Sequence, residues 1–244
     1  MRQIFSLLLC FALLLISCNS EDAPDCFKSA GEIIQESRSL ASFDQLMIED
    51  NFQIEIIQDS IFFVEIEAPK NVLPKLETSV ENGVLYISNK NTCNFVRSFK
   101  PKLQLRIHAP WIREIQNRGT GDIRSSQTLL FPYLKIENRH AAGTIDLDII
   151  GDSVFAYTQT GVADIILRGK VIKGELFNQG LGSIQAAELQ AQELYINNSS
   201  INDITGYCSG YLFAINYFSG NITVYGQPSQ TDIFQNGNGN IILD

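Results

Sequence analysis

A repeat of about 20 residues in the second half of the chain constrains its fold more than any other feature. An aliphatic residue follows a corner rich in glycine and asparagine in seven places: Ile123, Ile145, Ile165, Ile184, Ile204, Ile222 and Ile241. A second marker, in the strand before each corner, keeps the same period at Ile115, Ile136, Ala156, Leu176, Ile196, Ile215 and Phe234. This period is typical of a solenoid, and a helix beside each strand is not expected, because no 10-residue helical pattern fits inside a repeat and the leucine-rich pattern is missing.

Each repeat predicts two short strands around a polar corner, as in "LYINNSSINDITGY". Glycine and asparagine enter the left-handed conformations of sharp corners at low cost. The aliphatic side chains that follow can then stack on their counterparts ~4.8 Å away in the next coil. We therefore predict an all-β fold, a right-handed parallel β-helix (β-solenoid) of about 20-residue coils over 111–244. An antiparallel sandwich or barrel of short hairpins is the alternative, because its turns have a similar spacing.

The segment 26–110 also predicts strands, since stretches such as "FQIEII" and "KLQLRIHAP" alternate between polar and apolar residues. This N-terminal β segment either adds coils to the solenoid or forms an antiparallel cap on it. We expect 26–244 to form one continuous domain.

The N-terminus has the pattern of a lipoprotein signal peptide over residues 1–17, with one arginine followed by a short apolar run. The stretch "LISC", which ends at Cys18, resembles a lipobox, so we expect lipidation of Cys18 and an acidic tether over 18–25. Acyl chains contribute ~0.8 kcal/mol for each buried CH₂, enough to hold a protein on a bilayer. The expected location is the bacterial cell envelope, with the anchor in the outer membrane on its surface or periplasmic side.

The remaining cysteines fit an oxidising compartment. We expect a disulfide between Cys26 and Cys93, which would tie the mature N-terminus to a later strand. Cys208, in "GYCSGY", is expected to be a buried small apolar side chain.

The charge distribution argues against a nucleic-acid partner. The formal net charge is −9, and no lysine or arginine occurs from Gly174 to Asp244. Binding to a phosphate backbone requires clusters of these cations.

Two sets of side chains are candidates for special roles. A column two residues after the strand markers contains Asn117, Asn138, Asn178, Asn198 and Asn236, which could form a ladder of amide hydrogen bonds from coil to coil. Ordinary turn chemistry would also explain asparagine at corners. Late tyrosines are the second set, a possible ligand platform of Tyr207, Tyr211, Tyr217 and Tyr225, unless they fill the core or cover the solenoid end.

Three stretches resemble a known family: "DCFKSAG", "TCNFVRSFKPKLQLRI" and "YGQP" before a closing "NGNGNI". In this order they are similar to the auto-transporter adhesin family built on the head GIN domain, found in lipid-anchored bacterial surface proteins of unknown function. The resemblance spans about residues 25–244. It implies a β-solenoid, an adhesive role and no catalytic residue, and Cys26 and Cys93 match its two cysteine motifs.

Catalysis and metal binding have little support in the sequence. There are two histidines, His108 and His140, far apart in the chain, so we expect no metal site and no cofactor. Asp146 and Asp148 share one strand face, which leaves open a calcium site or a polysaccharide-active β-helix enzyme that uses paired Asp residues. We expect the acids to be solvated.

These observations predict a lipid-anchored, adhesin-like binding module without catalytic activity. The expected partners are a membrane through Cys18 and a glycan or surface protein. The chain ends on "NIILD", an apolar coil with no evident cap, so a homo-oligomer through the C-terminal solenoid end is also predicted.

Overall fold

The structure is a computed structural model that describes residues 29–92 and 103–244. In these ranges it contains 18 strands and one 3₁₀ turn, Leu73–Lys75. The strands of the N-terminal segment are β1 (Ile33–Ser39), β2 (Gln45–Ile48), β3 (Phe52–Gln58), β4 (Phe63–Pro69), β5 (Leu76–Glu81), β6 (Val84–Asn89) and β7 (Leu103–Ala109). The later strands are β8 (Glu114–Asn117), β9 (Ile123–Ser125), β10 (Leu129–Leu130), β11 (Tyr133–Asn138), β12 (Thr144–Thr158), β13 (Asp164–Asn178), β14 (Ile184–Asn198), β15 (Ile204–Asn216), β16 (Ile222–Tyr225), β17 (Gln230–Gln235) and β18 (Ile241–Leu243).

The second half of the chain is a β-solenoid, as predicted, with coils about 20 residues apart. In β12 the chain changes direction near Asp152, which has no partner in the ladder to β13. The first parts of β12–β15 stack in parallel with β9, β16 and β18, and we call this stack the first face. The second parts stack in parallel with β8, β11 and β17, and form the second face. The parallel pairing rules out the sandwich of antiparallel hairpins.

The predicted column of isoleucines after the corners is confirmed in full. The paired residues, coil by coil, are Ile123, Ile145, Ile165, Ile184, Ile204, Ile222 and Ile241. Six of them are at most 1% exposed, and only Ile241 in the last coil is partly accessible. Burying an isoleucine side chain contributes roughly 1.5–3 kcal/mol, so the column is a large part of the driving force for winding.

The second marker column is confirmed from Ile115 to Ile196 and is wrong after that. Ala214 pairs with Ile196, and Ile233 pairs with Ala214, so Ile215 and Phe234 lie one position too far along. The cause is a shorter path in β15, whose pairing with β14 shifts register at two places near the bend.

The N-terminal segment combines the two arrangements that the sequence left open. β2 and β6 extend the second face, and β3 and β7 extend the first face, all with parallel pairing. β1, β4 and β5 then close this end with antiparallel pairs to β4, β7 and β6. The buried apolar core runs without interruption from Phe43 to Val224. Within the described ranges, no helix has the length and apolar character needed to cross a membrane.

Candidate functional site

Aromatic side chains point outward from the second face on five successive strands. In β12, Val154, Ala156 and Thr158 are buried, so the alternation of a strand turns Phe155 and Tyr157 to the outside. The same alternation recurs in β13, β14 and β15, and the parallel register sets Phe234 of β17 beside the outward Ile215 of β15. We call the resulting surface the aromatic face, and define it by Phe155, Tyr157, Phe177, Tyr195, Tyr211, Phe213 and Phe234.

The rings of the aromatic face contact one another from coil to coil. The ring centroids of Phe155 and Phe177 are 5.3 Å apart, and those of Tyr195 and Phe213 are 6.2 Å apart, each pair stacked with an interplanar angle of 29°. Phe234 continues the second row, 5.5 Å from Phe213. Stacked neighbours cover part of each other's ring faces, so the row presents mainly ring edges to solvent.

The polar groups on this face are satisfied locally. The Tyr211 hydroxyl donates to Asp232 Oδ2 at 2.7 Å, and this hydrogen bond to the carboxylate raises the pKa of Tyr211 to about 12. Lys173 Nζ lies 4.7 Å from the centroid of the Tyr195 ring. Its hydrogen bond to Glu175 raises the pKa of Lys173. Lys173 is therefore paired with Glu175, and the Asp232 carboxylate is engaged by the Tyr211 hydroxyl, while the rings supply the apolar surface between these groups.

The structure divides the four tyrosines of the predicted platform. Tyr211 belongs to the aromatic face. Tyr207 and Tyr225 are paired neighbours on the first face, and Tyr217 lies on a corner beside Phe218 with 49% of its surface exposed. The four tyrosines therefore do not share one surface, because they lie on both faces and on a corner of the solenoid.

Most members of the aromatic face were missed by the sequence reasoning. They occupy the outward positions in the stretches "VFAYT", "LFN", "LYIN", "LFAIN" and "DIFQ". The sequence did contain a signal for them. These strands have apolar residues at both the inward and the outward positions, whereas a half-buried strand should alternate between apolar and polar residues. A strand of this kind has an apolar outer side as well as an apolar core side.

The predicted asparagine column exists, with different final members. Asn117, Asn138, Asn178 and Asn198 are in register, and each is at most 1% exposed. Thr158 takes its place between Asn138 and Asn178. The column continues through Asn216 and Gln235, so Tyr217 and the exposed Asn236 lie one residue beyond it. The same shortening of β15 that displaced the second marker column causes this offset.

The column forms two side-chain rungs between coils. Asn117 Nδ2 donates to Asn138 Oδ1 at 3.1 Å, and the Thr158 hydroxyl donates to Asn178 Oδ1. Later amides bind their own corners, since Asn178 donates to the Gly182 carbonyl at 2.9 Å and Asn216 donates to the Gly220 carbonyl at 2.8 Å. From Asn117 to Asn216 the column is buried, so this part fixes the shape of the corners and is not accessible to a ligand.

Asp146 and Asp148, the acids of the enzyme alternative, lie on the first face. Asp146 forms an ion pair with Arg168. Asp122 and Asp164 each accept a hydrogen bond from a backbone N–H of the next coil, at 2.9 and 2.7 Å. Among the residues that the structure describes, no group of three or more His, Cys, Asp and Glu side chains is placed to hold a metal ion.

The predicted lipidation site Cys18 and the predicted disulfide of Cys26 and Cys93 lie outside the described residues. Cys208 is buried, as expected, and burial raises the pKa of its thiol.

Comparison with protein-family models gives one match. The model described as "Putative auto-transporter adhesin, head GIN domain" matches residues 42–228, which is most of the chain. No curated protein matches the chain.

Solved structures share this architecture at low sequence identity. A putative adhesin from Bacteroides fragilis superposes with a TM-score of 0.80 at 23% identity, covering 87% of this chain and 97% of that one. A putative adhesin from Parabacteroides distasonis gives 0.71 at 17% identity, covering 88% and 98%. A protein from the same organism, described as a putative lipid binding protein, gives 0.64 at 20% identity, covering 87% and 97%. At these identities the likeness establishes the fold.

Proposed function

This chain belongs to the putative auto-transporter adhesin, head GIN domain family, and from that premise we propose that it is a lipid-anchored binding module of the bacterial cell surface. Its anchor is a lipid on Cys18, in the outer membrane. Its contact surface is the aromatic face, and its ligand is another surface protein. It catalyses no reaction.

The observation that carries this proposal is the aromatic face, whose rings pack in two groups on the outside of the solenoid. Its rings occupy five successive strands, and Phe234 keeps 47% of its surface exposed. Aromatic residues are enriched in protein interfaces, where a few of them account for most of the binding energy. The rigid solenoid holds them in place before binding, which lowers the entropic cost of association.

The ring geometry favours a protein over a glycan as the ligand. A sugar stacks its C–H groups on an open ring face, whereas the rows at Phe155 and Phe213 turn their faces toward neighbouring rings. Ring edges and the intervening aliphatic Ile215 suit the apolar side chains of a protein surface. The overall negative charge favours a neutral or basic partner.

The absence of catalysis is supported by the state of the acids. Asp146 is held in an ion pair with Arg168 on an open sheet face. Polysaccharide cleavage requires two carboxyl groups placed on either side of a bound sugar, one of them free to act as an acid. Measurable glycan cleavage that is lost in Asp146→Asn would contradict this part of the proposal.

The binding proposal can be tested with an array of bacterial surface proteins, host matrix proteins and glycans. The probe is residues 19–244, which lack only the predicted leader and the predicted lipidation site. We expect binding to one or more proteins, and a loss of roughly thirtyfold or more for Tyr195→Ser or Phe213→Ser, as for interface hot spots. Tyr225→Ser is the matched control, because this tyrosine is 37% exposed on the first face.

The outcomes separate the alternatives clearly. A ligand that binds both aromatic-face variants as tightly as the wild type would place the contact elsewhere. Binding restricted to glycans would overturn the assignment to a protein ligand. Circular dichroism of each variant distinguishes a lost contact from a lost fold.

The anchor has a separate test. Mass spectrometry of the N-terminal peptide from the membrane fraction should show a diacylated cysteine at position 18. The corresponding peptide of Cys18→Ala should carry no acyl mass, because this variant lacks the thiol that is acylated. An unmodified Cys18 in the wild-type protein would argue against lipid anchoring.

A further inference from the structure

The C-terminal end of the solenoid is an open strand edge. β17 pairs only with β15, and β18 only with β16, so among the described residues no strand covers their other edges. The inward side chains of this last coil are accessible, with Ile233 at 41% and Leu243 at 47%, although their counterparts Ala214 and Val224 one coil earlier are fully buried. Core side chains and backbone groups therefore meet water together at this end.

The direction of the free backbone groups follows from the ladder. Inward residues of one coil donate to the next coil, as Ile204 N does to Asn221 O at 2.9 Å and Ile222 N to Asn240 O at 2.8 Å. Outward positions donate to the previous coil, as Asp244 N does to Val224 O. Hydrogen bonds alternate along a parallel strand, so the N–H and C=O groups of Ile233 point away from β15. They form part of an unpaired edge.

The opposite end of the molecule is closed by a different arrangement. There, β1 and β5 are antiparallel to their neighbours, and Arg38 of β1 reaches across to the Leu76 carbonyl at 2.7 Å and the Thr78 hydroxyl at 3.0 Å. Glu36 and Glu77 add charge to this end. A head-to-tail fibre would therefore have to place the apolar C-terminal edge against the charged N-terminal end, which Arg38 already spans, and this contact is unfavourable.

The C-terminal edge is suited to pair with itself. From Ile204 to Asp244 the only charged residues are Asp232 and Asp244. A two-fold axis perpendicular to the sheet keeps inward side chains on the same side in both copies. If Ile233 lies on this axis, Asp232 faces Phe234 of the second copy, and the two Asp232 carboxylates are not directly opposed.

We propose that two copies of this chain associate tail to tail around a two-fold axis, with the β17 strands paired antiparallel and centred on Ile233. The N–H and C=O groups of Ile233 in each copy then bond to those of the other copy. Inward residues Thr231 and Gln235 pair across the axis, so the dry interior continues from one solenoid into the next. Such an isologous contact closes on itself and stops at a dimer.

The first test is the mass of residues 19–244 in solution by sedimentation equilibrium over a wide concentration range. We expect a dimer for the wild type and a monomer for Ile233→Lys and Ile233→Pro. Proline removes an N–H that makes no bond to β15, so this strand should survive the change. Leu181→Lys is the matched control, since it charges an exposed apolar side chain, 57% accessible, at a corner away from the end, and it should remain a dimer.

The second test fixes the register without relying on a disruptive change. Two residues that exchange backbone hydrogen bonds across an antiparallel pair have Cα atoms about 5.5 Å apart, within the range for a disulfide. Ile233→Cys should therefore cross-link into a covalent dimer on mild oxidation. Leu181→Cys should not, and the native Cys208 is buried.

Four results would overturn the proposal. These are a wild type that stays monomeric at high concentration, oligomers that grow beyond two copies, a dimer that Leu181→Lys dissociates and Ile233→Lys does not, and a dimer in which Ile233→Cys fails to cross-link. A monomer would also leave the ligand-binding proposal intact, because the aromatic face is read out separately by Tyr195→Ser.

Discussion

Replacing Asn178 by alanine tests whether the enclosed amides hold the corners of the solenoid. Asn178 is 0% exposed. Its Nδ2 donates to the Gly182 carbonyl at 2.9 Å, and its Oδ1 accepts from the Thr158 hydroxyl. Alanine removes both hydrogen bonds and leaves a buried carbonyl and a buried hydroxyl without these partners.

The expected loss is a large fraction of the stability of an ordinary domain. Each buried polar group left unpaired costs about 1–3 kcal/mol, so two of them bracket about 2–6 kcal/mol. The Thr158 hydroxyl can rotate toward another acceptor, which places the expected value near the lower end, at about 3 kcal/mol. Native domains are stable by only about 5–15 kcal/mol in total.

The assay is equilibrium unfolding in urea followed by circular dichroism. Asn236→Ala is the matched control, because Asn236 is exposed and lies one residue beyond the column, so its change should stay within about 0.5 kcal/mol. The slope of the unfolding free energy against urea concentration must be equal in the two variants for the comparison to hold. A loss below about 1 kcal/mol for Asn178→Ala, or equal losses in both variants, would refute this account of the column.

Three further predictions concern packing and ionisation. Gly182→Ala should lower the melting temperature by several degrees in calorimetry, because its Cβ would lie 1.9 Å from a backbone carbonyl oxygen of the neighbouring coil; an unchanged melting temperature would show that the corner is loose. Burial raises the pKa of Glu114, but the hydrogen bonds from Lys135 at 2.8 Å and Gln116 at 3.0 Å, with the charges of Lys135 and Arg113, together outweigh it and hold that pKa below 4.5. The stabilisation is therefore present above this pH and is lost as the pH falls through the folded value. The difference in unfolding free energy between the wild type and Lys135→Met should therefore shrink as the pH drops below 4.5, and a constant difference would contradict the pairing. In an absorbance titration Tyr211 should ionise near pH 12, and Asp232→Ala should return it toward 10; no change would mean that their hydrogen bond is absent in solution.

The period of the sequence was enough to predict the fold, because the isoleucines after the corners are held in place by the narrow interior. It was not enough to predict register everywhere. The path through β15 is shorter near the bend, and the core accepts this because Ala214 and Asn216 still fill the inward positions. A repeat in the sequence is measured in residues along the chain, whereas stacking depends on which residues are paired in space. The two disagree wherever the bend of one coil has more or fewer residues than the bend of the next.

Membership of the aromatic face depends on which residues of each strand point outward, which explains why so few of its members could be predicted from the sequence. Once Val154 and Ala156 are known to face inward, Phe155 and Tyr157 can only face outward. Before that, an aromatic residue in an apolar strand is equally well explained as core. The cap at the N-terminal end was harder still, because the alternation of polar and apolar residues in β4 and β7 is the same for parallel and antiparallel pairing.

The regular column at the corners gives this molecule a natural unit of length. Residues 159–178 run from one member of the column to the next and make up one coil. Deleting them would join Thr158 to Gln179, and the coil that ends at Thr158 would then stack on the coil that ends at Asn198, with each side chain facing an equivalent partner. Duplicating the same stretch would lengthen the solenoid by one coil, ~4.8 Å, without any change to the packing of the interior. Related proteins can therefore gain or lose whole coils. The length of the solenoid and the position of its binding surface would change, while the packing inside each coil stays the same.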